Sequence, residues 1–446
     1  MSKKHFLVQF IFITVLLLVV LAQGLTHAIP MRPLDGFVDE LKKDTLSFKT
    51  YYRGSYQSYL TQYAKLNTGF REFFIRNYNQ IAYSCFGKIT NNNVIKGRDN
   101  ELFLNMYLDE YTGKKLESRY GSVEAAQADA RKNVEETLRL IDTLQQHGTK
   151  FLFVFCPTKC DVYPEKLPLS YWFTQKDFSL EDYYIELFKE HGIPHIDCLN
   201  WFKELKDTES YPLYARPGTH WAQWTMPFVV DSILRKLESV GGYKLPHVSV
   251  LDENITTDYT QQDAELMGNM NLLFPFPTPA LPRPVFTLTD TVGKDRPNLL
   301  VVADSYFYTL KMTCFVKAFN HWDYWVYNRE VQSSRKLYDG FLLQYVFDAE
   351  EILEDADIVM AVFTAPMLYD YMFGFPKYAQ ELFAHGPMSD QEAIQNIIDR
   401  IYSIPEWYQA VVDQAVEKGN TVEENLRNHA EYVYYTHLFN KQNNQN

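Results

Sequence analysis

The hydrophobic positions of this chain fall into two rhythms. One is continuous. Phe151 to Cys156, Leu299 to Ala303 and Ile358 to Phe363 are short runs that are apolar throughout. Runs of this kind suit strands buried on both faces of a parallel sheet. The other rhythm is helical. Val134, Leu138, Ile141 and Leu144 recur among charged residues between Val123 and His147, and Gly148 supplies a stop. Leu180 to His191 and Trp224 to Glu238 read as further helices. Gly192 and Pro194 end the first of these, and His195 to Cys198 then reads as a strand. A helix from about Tyr306 to Ala318 follows the strand at Leu299. This alternation predicts an α/β fold, a parallel sheet with helices on both faces.

The flanks read differently. Residues 34–89 are helical by period, with Leu60, Tyr63, Leu66 and Phe70 in step and Asn67-Thr68-Gly69 interrupting. Residues 92–100 are polar and turn-rich, and Glu101 to Leu104 is a short extended piece. Pro275 to Pro284 holds five prolines and reads as a surface loop. Ser389 to Phe439 is helical, with a Gln/Asn tail. The expected organisation is a targeting segment at 1–28, a helical extension at 29–120, the α/β domain at 121–375 and a C-terminal helical segment at 376–446.

The targeting segment is a basic start, Lys3-Lys4, followed by an apolar run from Phe6 to Leu25. That pattern is a signal peptide or a signal anchor. The run is just long enough to span a bilayer, and Thr26-His27-Ala28 is a mediocre cleavage site, so we read an uncleaved anchor. In both cases the lysines stay cytoplasmic and the body is exported. The formal net charge of −13, with no basic run, argues against nucleic-acid binding and against attraction to a membrane surface. Five cysteines make no disulfide framework. Cys156 and Cys160 are four apart, close enough in sequence to pair or to ligate metal with His191 and His195. The spacing of a zinc site is missing, so no metal and no cofactor is expected. Aromatic residues make up 16% of the chain. That richness reads first as core packing and second as stacking platforms for sugars.

Candidate chemistry sits at two places. Ser305 follows a buried strand and precedes a helix, in Leu299-Leu300-Val301-Val302-Ala303-Asp304-Ser305-Tyr306. Ligands of open α/β sheets bind outside the carboxyl ends of such strands, and a helix start offers backbone N–H groups to a developing oxyanion. The plain alternative is that Asp304-Ser305 caps the helix. His220, in Gly218-Thr219-His220-Trp221, is the candidate base, and its plain alternative is a structural histidine. Lys159 in Pro157-Thr158-Lys159 is either a contact to an anionic substrate or a surface lysine, the second being favoured. Asn328 is either an oxyanion donor or a turn asparagine. Trp221 is a third candidate for substrate contact.

The order strand-Pro-x-Lys, then Thr-His-Trp, then strand-x-Asp-Ser resembles the AlgX/AlgJ-like SGNH hydrolase family, linked to O-acetylation of exported polysaccharides such as alginate. Gly97-Arg98-Asp99-Asn100-Glu101-Leu102-Phe103 is similar to the family's G-x-D-G-W-L-F, and Val162-Tyr163-Pro164-Glu165 contains its Y-P-E. The resemblance spans roughly residues 60–375. It implies an SGNH-like sheet, Ser305 as nucleophile and His220 as base. It also implies a cell-envelope polysaccharide substrate and a membrane-bound O-acyltransferase partner on the donor side. The family's acid, two residues before the histidine, falls on Gly218. Asp258, Asp263 and Glu330 are candidate replacements, and Asp304, matching the Asp of G-D-S, reads as structural. The expected activity is O-acetyl transfer in the periplasm or at the cell envelope. The alternatives are a carbohydrate acetylesterase and a non-catalytic glycan-binding scaffold.

Overall fold

A computed structural model describes residues 3–36, 41, 43–171, 173–174, 177–335, 340–346, 348–386 and 388–444. They divide into two compact units. The first holds residues up to Asn105 with Arg216–Thr219 and Tyr259–Pro279. It contains helices α1 (Lys3–Thr26), α2 (Phe48–Arg53), α3 (Ser55–Leu66) and α4 (Arg71–Phe86), and a hairpin of β1 (Val94–Lys96) and β2 (Leu102–Leu104). Asn67-Thr68-Gly69 does break the helical run. The motif Gly97–Phe103 makes the hairpin connection, with Gly97 N–H donating to the Glu101 carbonyl at 2.7 Å. Asn100, within this connection, takes φ 59°. Asparagine tolerates this left-handed conformation better than most residues.

The second unit contains the expected α/β domain. Its sheet is built from β3 (Lys150–Cys156), β4 (His195–Asp197), β7 (Leu299–Ala303), β8 (Trp322–Val326), β9 (Glu330–Ser333), β10 (Phe341–Leu342) and β11 (Ile358–Thr364), in the order β10-β9-β8-β7-β11-β3-β4. The five strands β8-β7-β11-β3-β4 are parallel, and β9 and β10 add an antiparallel edge. One face carries Phe153, Phe155, Val302, Ala361 and Phe363 into a core with the helices Val123–Gln146, Leu180–Glu190 and Phe375–His385. On the alternate positions Leu152, Val154, Met360 and Val362 are also fully buried. Burial on both faces is why these strands read as continuous apolar runs.

Two expectations change. The proline-rich stretch is not all loop, because Leu281–Thr289 forms β6, paired antiparallel with β5 (His247–Thr256). A two-stranded ribbon is edge on both sides, so Pro282 and Pro284 remove no central ladder bond. The helix after Ser305 ends at Lys311, and a separate 3-10 turn covers Phe315–Ala318. The C-terminal segment is three helices, Asp390–Ser403, Pro405–Lys418 and Val422–Asn444, around their own apolar cluster of Ile397, Ile401, Leu426 and Ala430.

Candidate functional site

Parallel register brings the carboxyl ends of four strands to one edge. Ala303 pairs with Val362 and with Val326, and Thr364 pairs with Cys156. The residues that follow these positions, or end the strand, are therefore neighbours: Pro157, Asp304-Ser305, Tyr327 and Thr364.

Asp304 is the hub of this edge. Its Oδ2 accepts from the Thr364 N–H at 2.8 Å and from Thr364 Oγ1 at 2.7 Å. Its Oδ1 accepts from the Tyr306 N–H at 2.9 Å. Its backbone carbonyl accepts from the Tyr324 hydroxyl at 2.6 Å. The carboxylate thus ties the turn after β7 to the end of β11. Burial raises the Asp304 carboxyl above its ordinary range; the Thr364 and Tyr306 bonds and the nearby His220 oppose that shift.

With Asp304 in that role, Ser305 is released from capping. Its side chain makes no cap hydrogen bond. Its Oγ lies 3.0 Å from His220 Nε2 instead. The helix start is less available to an oxyanion than its position suggests. The helix is only six residues long, and its first amide, that of Tyr306, is already bonded to Asp304.

His220 is held by the residues on either side of it in the chain and by the serine helix. A bridge between Tyr214 and Trp221, with Ala222 N–H donating to the Leu213 carbonyl at 2.8 Å, closes its loop. The Tyr306 ring packs on the imidazole at 4.7 Å. The hydroxyls of Tyr306 and Tyr214 both donate to the Pro157 carbonyl, at 2.9 and 2.6 Å. The Pro-x-Lys motif therefore meets the serine turn and the histidine loop through two tyrosines.

The other candidates are placed as follows. Trp221 is buried and its indole N–H donates to Thr309 Oγ1 at 2.6 Å, so it pins the histidine strand to the serine helix and presents no face to a substrate. Lys159 is not a surface lysine. It is 1% exposed, and its Nζ donates to the carbonyl of Ala215 at 2.9 Å, at the start of the histidine loop. Asn328, at φ 48°, donates from Nδ2 to the Phe373 carbonyl at 3.1 Å. Its neighbour Tyr327 is the residue that meets Ser305, through both the serine side chain and backbone. Tyr327 was not legible from sequence; its one signal is its place directly after an apolar strand. Burial raises its phenol pKa, so it stays protonated at neutral pH.

Among the candidate acids, Asp258 is on the surface beside Arg283 at 3.9 Å. Glu330 is spent in β9 opposite Val326 and Leu342. Asp263 belongs to the first unit. Asp304 is buried at the same edge, where burial raises its carboxyl and the nearby His220 is a smaller opposing influence. All five cysteines are free thiols, and among the described residues no His/Cys/Asp/Glu group is arranged to hold a metal.

The role of Lys159 gives a first prediction. Lys159→Met removes the donor to the Ala215 carbonyl while keeping most of the stem's packing. An orphaned buried acceptor costs about 1–3 kcal/mol. A denaturant titration is expected to show a loss in that range, together with lower turnover as the histidine loop loosens.

Compared with known proteins, residues 94–296 match the model of the SGNH hydrolase-like domain, acetyltransferase AlgX. The resemblance carried by the motifs is shown for that span, which includes Lys159 and His220 and stops before Ser305. Among solved structures, the O-acetyltransferase domain of Pseudomonas putida AlgJ is similar at 15% identity, over 64% of this chain and 99% of that one, with a TM-score of 0.39. Pseudomonas aeruginosa AlgX is similar at 15% identity, over 65% and 71%, with a TM-score of 0.38. Bacillus cereus PatB1 with a sulfonyl adduct is similar at 11% identity, over 56% and 93%, with a TM-score of 0.37. No curated protein matches.

Proposed function

We propose that this chain, which carries an AlgX-type SGNH hydrolase-like domain, moves acetyl groups onto hydroxyls of an exported polysaccharide through an acetyl-Ser305 intermediate. The observation that carries the reading is the 3.0 Å approach of His220 Nε2 to Ser305 Oγ, which makes no helix-cap bond, at the carboxyl edge of the sheet. His220 takes the serine proton as Oγ attacks the acetyl carbonyl of a donor ester. The imidazolium then returns that proton to the leaving alcohol. In the second half, a sugar hydroxyl gives its proton to His220 and attacks the acyl-enzyme, and Ser305 leaves and is reprotonated. The family resemblance points to a membrane-bound O-acyltransferase as the source of the donor.

The absence of a side chain at Gly218 bears on how the imidazolium is stabilised. We infer that Asp304 supplies part of this, as a buried negative charge close to the ring and not as a hydrogen-bonded orienter. Tyr327 is placed to act on Ser305 directly. Tyr327→Phe is expected to lower turnover about tenfold to a hundredfold, the scale of losing one donor at a reacting oxygen. An unchanged kcat would remove this role.

Export is supported by Lys3-Lys4 and by α1, which is long and apolar enough to cross a membrane. The experiment that tests the function is labelling with a serine-directed phosphonate, followed by transfer assays with an activated acetyl ester and an oligosaccharide acceptor. A labelled Ser305 with acetylated acceptor supports the transferase. Labelling with release of free acetate alone makes the protein an esterase. No label, with glycan binding intact, makes it a scaffold, the reading that Gly218 favours.

A further inference from the structure

Helix α4 is built inside out. A helix on a soluble protein buries its apolar stripe and exposes its polar face. Here the buried residues are Arg76 and Asn79 together with the small Ala82. The Arg76 guanidinium donates to the Arg32 and Pro33 carbonyls at 2.7 and 2.6 Å, and Asn79 Nδ2 donates to the Met270 carbonyl at 2.9 Å. The outward stripe is Phe74, Tyr78 and Ile81, at i, i+4 and i+7, exposed by 51%, 65% and 57%. On α2, Phe48 and Tyr52 stack on each other at 6.1 Å and are more exposed still. An exposed apolar stripe of this kind along a helix marks an interaction site.

The neighbouring element identifies the occupant. The last turns of α1 touch the turn before α4 backbone to backbone. A Cβ on Gly24 would overlap the Asn67 carbonyl, and one on Gly69 would overlap the Val20 carbonyl and the Gly24 nitrogen. Gln23 is buried, and its amide side chain bonds the Ile29 carbonyl at 2.7 Å and the Ile29 N–H at 3.0 Å. The end of α1 is therefore part of the first unit. At about 1.5 Å per residue the helix is roughly 36 Å long, against about 30 Å of hydrocarbon. In a membrane that α1 spans with Lys3 and Lys4 on the cytoplasmic side, the turn of α1 around Gln23 would lie at the outer interface. The Asn67–Gly69 turn would lie there with it, and α4 starts two residues later at Arg71.

Composition agrees. Residues 41–90 hold eight Lys or Arg and two Asp or Glu, within a chain of net charge −13. Tyrosine and basic residues are the side chains that favour the headgroup region, and each basic residue near an anionic surface is worth about 1 kcal/mol. The net charge of the chain and its lack of a basic run argue against attraction to a membrane surface, but the local balance of this segment has the opposite sign.

We propose that α2 and α4 lie on the outer leaflet of the membrane that α1 spans, with Phe48, Tyr52, Phe74, Tyr78 and Ile81 at the acyl-chain boundary and exposed basic residues such as Lys49, Arg53 and Lys65 among anionic headgroups. This rests on the reading of α1 as a retained anchor. The test uses the full chain in vesicles of phosphatidylcholine with phosphatidylglycerol. Cys85, the exposed cysteine, is replaced by serine, and single nitroxides are attached at Tyr52→Cys, Phe74→Cys and Tyr78→Cys. Val292→Cys, on a 95% exposed residue of the second unit, is the aqueous reference, and Leu17→Cys reports on the anchor. The ratio of collisions with oxygen to collisions with a water-soluble nickel chelate is expected to be several-fold higher at 52, 74 and 78 than at 292. Equal ratios at all four, with Leu17 deep in the bilayer, overturn the proposal and leave the anchor standing. An aqueous Leu17 overturns both. Labels that are aqueous in pure lipid but immobilised in native membranes overturn it in favour of a protein partner.

Discussion

Ser305→Ala is expected to reduce acetyl transfer to background and to abolish phosphonate labelling, while leaving the protein folded. In serine hydrolases, removing the nucleophile or its base costs about 10⁴–10⁶ in rate, which is roughly 5–8 kcal/mol of transition-state stabilisation. The expectation is sharp here because the hydroxyl's partners, His220 and Tyr327, both belong to the proposed site and the hydroxyl caps no helix. Its side chain makes no cap hydrogen bond, and the first amide of the helix, that of Tyr306, is bonded to Asp304. Losing a hydrogen bond of the kind the hydroxyl makes to His220 costs about 0.5–1.5 kcal/mol net. The denaturation midpoint should therefore fall modestly while the activity disappears. His220→Ala should fall to the same floor, and the double variant no lower, because the two act as a unit. Turnover that survives Ser305→Ala within tenfold would end the acyl-enzyme mechanism.

The parts of this molecule that could be read from its sequence are those where local chemistry and tertiary context agree. The strands β3, β7 and β11 announce themselves because both their faces are covered. The helix Val123–Gln146 does so because one face is buried and Ser122 caps it, accepting from the Ala125 N–H. The β5–β6 ribbon was hidden, since its prolines argue against a strand unless the strand is known to be an edge. At the site, Ser305 and His220 were visible through motif order, and the distance between them was not. Lys159 was misread because burial of a lysine leaves no trace in its neighbours, and its partner, the Ala215 carbonyl, is 56 residues away. Tyr327 was missed for a related reason. Its contact with Ser305 follows from the pairing of β8 with β7, and its φ of 50° is not written in the residue type. The net charge of −13 does not show the opposite local balance of residues 41–90.

Asp304→Ala is expected to cost more stability than any other single change at this edge. It leaves three donors, the Thr364 N–H, Thr364 Oγ1 and the Tyr306 N–H, without their acceptor in a fully buried setting. Each orphaned buried group costs about 1–3 kcal/mol, so a loss of several kcal/mol is expected against a typical total of about 5–15 kcal/mol. Asp304→Asn keeps the shape and can still accept from Thr364, but it turns an NH₂ toward the Tyr306 N–H. Its stability should fall between those of the wild type and the alanine variant. The pH dependence has a definite sign. Burial raises the carboxyl above its unfolded value, so its protonated form is the one that folding favours. The stability advantage of the wild type over the asparagine variant is therefore greatest below the ordinary carboxylate range and shrinks as pH rises through the raised value. Urea titrations of both proteins at acid and neutral pH read this difference directly. Activity moves the other way. If the ionised Asp304 stabilises the His220 imidazolium, the asparagine variant loses rate at the pH where the wild type has gained its charge. An Asp304→Asn enzyme that matches the wild-type rate at neutral pH while showing the stability difference would assign Asp304 to the turn alone and leave His220 to work without a buried counter-charge.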